Sequence, residues 1–306
     1  MERKIVTVRG HIESTEMGLT LPHEHIIVDF IGAAEAGPHR YNRSEVVETM
    51  LPFLQEIVAL GVKSLVECTP MYMARDPVIF RELSERTGLN ILTNTGQYKG
   101  PGLPQQTLEI DAEELAAQWI LEWEEGIDGT DVRPGFIKTA VEPEPLAPIQ
   151  QKVIRAAAIT SRATGLTIMT HTCLAEPALQ VLDILEKEGV DPSRWIFTHA
   201  QQEEDLEQLT EVARRGAWIS LDGLNETLVN EHMRSLLHLL ELGFRDHILL
   251  SHDAGWYTVG EEGGGEKRPY TYLFTDFIPL LRERGVDQQT IDRIVTVNPS
   301  EAFIVR

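Results

Sequence analysis

Leu166-Thr-Ile-Met-Thr-His171 and Trp195-Ile-Phe-Thr-His199 are two short apolar runs, each closing on Thr-His, and the amphipathic stretch Glu176–Glu188 lies between them. An apolar run of strand length, a helix-spaced stretch and a second such run make a strand–helix–strand unit, which implies parallel strands. The same unit recurs in both directions along the chain. Upstream strand candidates are Leu19–Phe30, Val62–Cys68, Asn90–Thr95 and Gly135–Thr139; downstream ones are Ala217–Asp222 and His247–Asp253. Helical spacing is read over Val47–Val58, Asp111–Glu125, Pro148–Thr164, Glu203–Arg215, Glu226–Leu242 and Tyr272–Arg284. That gives eight strands repeating about every 25 to 30 residues, with neither GxGxxG nor a P-loop after the first. The expectation is an α/β fold: a single (β/α)8 TIM barrel over residues 1–306. A short N-terminal hairpin (Lys4–Val8, then His11–Glu13) precedes it. A C-terminal helix is expected to start at Asn298-Pro299-Ser300-Glu301, with Asn298 as cap and Pro299 in the first turn.

Composition narrows the function. Asp and Glu number 48 against 27 Lys and Arg, a formal charge of −21 that repels a polyanion and so argues against nucleic acid. A small substrate stays compatible, because a metal ion sets its own local field. No run reaches the roughly 18 apolar residues of a membrane span, and Met1–Gly10 has no signal-peptide core. Cys68 and Cys173 are expected to be buried free thiols, and the protein to be cytoplasmic.

Ligand-type residues close the strands. In His23-Glu24-His25 the two histidines point to one side of a strand, and that side can be the barrel mouth. Lys138 ends Gly-Phe-Ile-Lys, His171 and His199 end the two opening runs, and Asp253 ends Ile-Leu-Leu-Ser-His-Asp. Imidazoles and carboxylates of this kind suit zinc, manganese or cobalt. Lys138 is out of place as an ammonium beside cations; carboxylated by carbon dioxide it becomes an anionic carbamate able to bridge two metals. Glu24 alternates away and is expected to brace the barrel; His252 points the other way from Asp253. Asp222 is open between a partner to the ligands and a loop cap. His11, His39, His232, His238 and His247 are read as surface or packing residues.

The stretches Gly18-Leu-Thr-Leu-Pro-His-Glu-His25, Gly135-Phe-Ile-Lys138, Thr170-His171, Thr198-His199 and Leu250-Ser-His-Asp-Ala-Gly255 resemble the phosphotriesterase-related family of the amidohydrolase superfamily over essentially the full length. The resemblance implies two divalent metal ions. His23, His25 and Asp253 hold the more buried ion, His171 and His199 the more exposed one, and carboxylated Lys138 and a hydroxide bridge them. It implies a hydrolase of ester bonds, with Asp253 as the catalytic proton carrier. The expected substrate is a small lactone or related carboxylic ester, with weak phosphotriesterase activity beside it. Tyr98 matches a tyrosine near the metals in lactonase members. Those members also carry an arginine after strand seven, and Leu221-Asp-Gly-Leu-Asn225 has none, which argues against acyl-homoserine-lactone activity.

The glycine-rich loop Trp256–Tyr272 is read as a lid, or else as a solvated surface loop. Trp256 is expected to contact substrate, and Lys267, Arg268, Tyr270 and Tyr272 are candidates for gripping an anionic group. A phosphorylated-sugar lactonase is therefore an alternative, as are a phosphotriesterase proper and a non-catalytic ligand-binding barrel. Relatives often dimerise, so a homodimer is possible.

Overall fold

The computed structural model describes residues 3–306. β1 (Lys4–Thr7) and β2 (Gly10–Glu13) form the antiparallel hairpin. The barrel strands follow: β3 (Thr20–Val28), β4 (Ser64–Glu67), β5 (Asn90–Leu92), β6 (Asn94–Thr95), β7 (Phe136–Ala140), β8 (Ile168–His171), β9 (Trp195–Thr198), β10 (Trp218–Leu221) and β11 (Ile248–Leu250). β5 and β6 are one strand interrupted at Thr93, whose carbonyl accepts the Gly135 N–H. Neighbours pair in parallel from β3 to β5 and from β6 to β11. The ends meet through backbone bonds just past β11: Asp253 N–H to the His23 carbonyl (3.0 Å) and His25 N–H to the Ala254 carbonyl (2.9 Å). One further parallel strand, β12 (Gly255–Thr258), lies beyond them on β3.

Alternation sorts the side chains. Val66, Leu92, Phe136, Met169, Ile196, Trp218 and Leu249 come one each from β4, β5, β7, β8, β9, β10 and β11. They fill the barrel interior, closed below by Ile5 of the hairpin and Phe303 near the C-terminus. Their neighbours in sequence, Leu65, Ile91, Ile137, Ile168, Phe197, Ile219 and Ile248, face the helices. Burying such an aliphatic side chain contributes about 1.5–3 kcal/mol, so the alternation alone fixes which residues face the mouth two positions further on.

Two details depart from the sequence reading. A helix over Pro77–Thr87 follows β4, where no helical stretch was expected; Asp76 caps it by accepting the Val78 and Ile79 N–H groups, and Gly88 ends it at φ 78°. At the C-terminus Asn298 is not a cap. The helix starts at Gln288, passes through a π turn over Arg293–Val297 and continues through Asn298–Ala302. Pro299 is tolerated there because the wider turn no longer asks for its missing N–H. The Asn298 amide, fully buried, donates instead to the carbonyls of Arg245 and Ile248, each at 2.8 Å. Among the described residues no helix is long and apolar enough to cross a membrane.

Candidate metal centre

β3 supplies His23 and His25, β7 supplies Lys138 and β8 supplies His171, while His199 and Asp253 stand just past β9 and β11. All six line one cavity of about 160 Å³ at the C-terminal ends of the strands, where barrel sites are built. Lys138 and His171 reach it by the strand period, two residues beyond Phe136 and Met169. His199 breaks that parity, and only its left-handed backbone (φ 60°) turns it inward; Asp253 is also left-handed (φ 51°). Such conformations cost on the order of 1–3 kcal/mol for a non-glycine residue and persist where the surroundings over-determine them.

The donors are close together. His25 Nε2 is 3.0 Å and His23 Nε2 3.7 Å from Asp253 Oδ1, and the three groups' ligand atoms lie within 4.8 Å of one another. Lys138 Nζ is 3.2 Å from His23 Nε2, and the rings of His171 and His199 are 4.4 Å apart.

Partners behind the ligands set which nitrogen faces inward. Asp222, fully buried, accepts from His23 Nδ1 (2.7 Å) and His199 Nδ1 (2.5 Å) on separate oxygens. His25 Nδ1 is 2.8 Å from Thr69 Oγ1, whose own proton goes to the Ile27 carbonyl, so the ring is the donor. Three histidines thus carry the proton on Nδ1 and leave the Nε2 lone pair for a metal. His171 has weaker support: its Nδ1 meets the Tyr98 hydroxyl (3.0 Å) and its Nε2 lies 3.6 Å from Cys173 Sγ. Although Asp222 with His23 and His199 also forms a compact cluster, its oxygens are committed to ring N–H groups, so it orients ligands rather than adding one.

Electrostatics agree with this assignment for His23 and for the carboxylates. Burial, then the Lys138 charge, pushes His23 down to about 4, so it stays neutral near pH 7. Burial and the neighbouring His199 likewise hold His171 well below its ordinary value. Burial alone would raise Asp253 and Asp222, but the surrounding histidines hold both carboxyls well below the usual range. His199 runs the other way: burial lowers it, but the Asp222 carboxylate raises it above its ordinary value, so a cation there would have to displace a proton. Among the described residues no carboxylate lies within ion-pairing distance of Lys138, which is 2% exposed. The chemistry of the donor set therefore fits divalent metal ions, with the buried Lys138 amine among the donors.

Glu24 braces the barrel as anticipated: it accepts from the Ser251 hydroxyl, both nitrogens His252 N and Nδ1, and Ala254 N–H, tying β3 to the end of β11. His252 Nε2 in turn accepts from Leu273 N–H at 2.9 Å. Asp222 resolves as the partner of the ligands, and its own carbonyl rests on His232, a buried packing residue. Cys173 differs from its expected burial, being only partly covered and beside His171; Cys68 is buried, and both are free thiols.

Tyr98 and Trp256 line the cavity with Val28, Phe30, Pro70 and Met73, an apolar wall that sequence reasoning did not assemble because it comes from four separate segments of the chain. Arg268 does not line it. Its guanidinium lies over the Trp256 ring and bonds the Asp253 carbonyl, outside the cavity where a substrate contact was expected. Lys267 turns to the carbonyls of Gly263 and Gly265, and Tyr270 is buried against the His25 carbonyl. The loop is also no free lid, since it begins as β12 and Tyr257 bonds Glu45 at 2.7 Å.

The Phosphotriesterase family model matches residues 3–303. The aryldialkylphosphatase of Saccharolobus solfataricus is 33% identical over 96% of this chain and 98% of its own length. The phosphotriesterase homology protein of Escherichia coli is 31% identical over 94% and 98%. The N-acetyltaurine hydrolase of Homo sapiens is 26% identical over 97% of each chain. The solved organophosphorus hydrolase of Deinococcus radiodurans superposes with a TM-score of 0.89 at 31% identity, over 99% of this chain and 97% of its own. This chain is a hydrolase and belongs to the phosphotriesterase family.

Proposed function

We propose that this hydrolase opens lactones or related carboxylic esters at a two-metal centre, with phosphotriester hydrolysis as a weak side activity. The observation that carries the reading is the cavity itself: about 160 Å³, walled by apolar side chains, with Lys138 as the one cationic side chain among its described lining residues. A compact acyl substrate suits that space, and apart from the groups that would hold the ions its described lining offers no Lys or Arg to grip a further anionic group. A solved relative, 31% identical with a TM-score of 0.88, is described as organophosphate hydrolysis engineered from a weak promiscuous lactonase template, which supports the same ranking.

His23, His25 and Asp253 would hold one ion and His171 and His199 the other, with Lys138 between them as its carbamate. When bound, divalent ions of the zinc, manganese or cobalt kind would acidify a shared water and polarise the acyl oxygen. Tyr98 keeps its proton, because burial and then Asp253 raise its pKa, so its hydroxyl can donate to the substrate carbonyl. Asp253, whose side chain is 19% exposed at the cavity, takes up the proton released as water adds and returns it to the leaving alkoxide. Phe30 and Trp256, with ring centroids 5.5 Å apart, cover the non-reacting part of the substrate.

The neutral apolar wall also admits a phosphotriester, which is why that reading stays second. A pH-indicator assay on metal-loaded protein distinguishes them. The proposal predicts a neutral sugar lactone turned over at least about tenfold faster than an aryl phosphotriester, or 1.4 kcal/mol in barrier. It also predicts no preference for the phosphorylated lactone. Faster phosphotriester turnover reverses the ranking, and a clear preference for the phosphorylated lactone would overturn the neutral-cavity argument.

A further inference from the structure

We propose that Arg268 is a positioning residue for the metal centre, fixing the Asp253 backbone and the Trp256 ring from outside the cavity; this rests on the reading of Asp253 as a metal ligand. Asp253 (φ 51°), Gly255 (φ 94°) and Trp256 (φ 71°) all adopt left-handed backbone within one turn. A segment with two strained non-glycine residues does not hold itself, and its conformation persists through contacts made elsewhere. The Asp253 N–H is spent on the His23 carbonyl. Its carbonyl leaves the strand ladder and is taken by two donors from the following loop, the Trp256 indole N–H at 3.0 Å and the Arg268 guanidinium.

Arg268 is itself placed by backbone. Its N–H and carbonyl both pair with Gly255, each at 3.0 Å, and its guanidinium lies 4.5 Å from the Trp256 ring centroid. Two residues on, buried Tyr270 donates to the His25 carbonyl at 2.6 Å. Alternate residues of one loop segment thus hold the backbones of two ligands whose side chains meet at 3.0 Å. Gly255 is required between them, since a Cβ there would fall 2.0 Å from both the His25 carbonyl and the Tyr270 hydroxyl. A planar guanidinium can lie against the indole while an N–H group donates to a carbonyl, a fixed planar geometry that the compact ammonium of a lysine does not reproduce.

Lys267 provides the control. It is next in the chain and bonds the carbonyls of Gly263 and Gly265, tying the loop to itself without touching Asp253 or Trp256. Loss of loop order and loss of ligand positioning can therefore be separated by substituting one residue or its neighbour.

The test is a cobalt(II) titration of metal-free protein against a competing chelator, following visible absorption, on the wild type and on Arg268→Ala, Arg268→Lys and Lys267→Ala. Arg268→Ala is expected to weaken cobalt binding about tenfold, the scale of one charge-assisted bond plus a cation–π contact, and to alter the absorption envelope. Added guanidinium ion should restore part of the affinity, and Arg268→Lys should not recover it. Lys267→Ala should keep the wild-type affinity and spectrum. On a neutral lactone, Arg268→Ala should lower kcat through the displaced Asp253 and raise KM through the released Trp256 ring, and Lys267→Ala should change neither. Wild-type cobalt affinity and spectrum in Arg268→Ala would overturn the proposal, as would an equal loss in Lys267→Ala, which would assign the effect to loop folding. A wild-type protein that takes up no cobalt would instead fail the metal reading of the site.

Discussion

Replacing Asp222 by asparagine keeps the shape of the side chain and removes the charge on which two ligands depend. Asp222 accepts four hydrogen bonds: from His23 Nδ1, His199 Nδ1, the Ser220 hydroxyl and the His199 N–H, at 2.7, 2.5, 2.7 and 3.0 Å. An amide offers one acceptor oxygen and one NH2 group, so a histidine N–H must face another donor in a fully buried place. Leaving that N–H unpaired costs about 1–3 kcal/mol. The ring can escape only by moving its proton to Nε2, which removes the lone pair a metal would use. Either route is expected to weaken metal binding by about 10- to 100-fold, the usual scale for a lost partner behind a ligand, or roughly 1.4 to 2.8 kcal/mol. Chelator-competition titrations of Asp222→Asn against wild type, with circular dichroism to establish folding, measure it. Metal affinity within about twofold of wild type in a folded Asp222→Asn protein would refute the reasoning.

Other expectations follow from single contacts. Burial raises Glu67 to about 8 from an ordinary 4.5, so the folded state keeps a proton that the unfolded chain releases. Its contribution is full below about pH 4.5 and is lost as pH rises towards 8, so Glu67→Gln should lose less Tm than wild type between pH 6 and 9. Equal losses would count against it. Gly96 sits at φ 103° with its ideal Cβ position 2.2 Å from the Lys138 carbonyl, and Gly96→Ala should cost at least about 2 kcal/mol in urea unfolding. His171 is the one of the four candidate ligand histidines whose Nδ1 partner, the Tyr98 hydroxyl, is not itself tied to a described carbonyl or carboxylate, so chelation should strip the ion it would share with His199 first, giving two phases in metal release.

The barrel and the gathering of the six candidate ligands in one cavity were legible in the sequence for one physical reason: apolar runs of period two must bury one face, so a polar residue that ends such a run lands at the mouth. Lys138 and His171 follow that rule directly. His199 and Asp253 were found by the same pattern, although their placement depends on a left-handed backbone that no periodicity announces. The helix over Pro77–Thr87 was missed even though Asp76, Pro77 and Gly88 mark its ends, because the apolar loop before it blurs the helical spacing. Loop chemistry was the least legible. Lys267 and Arg268 read as an anion grip, whereas their partners are carbonyls of Gly263, Gly265 and Asp253, contacts set by tertiary folding. Asp222 was undecided for the same reason, since its role depends on two rings that stand on β3 and just past β9.

Counting metal ions against activity tests the central claim most directly. Metal-free protein would be titrated with zinc or cobalt in the presence of bicarbonate, following bound metal by mass spectrometry and hydrolysis of a neutral lactone in the same samples. The account predicts two ions per chain, activity that rises with the second, and slower reconstitution when bicarbonate is withheld. Full activity with a single ion, or activity that survives complete chelation, would contradict it.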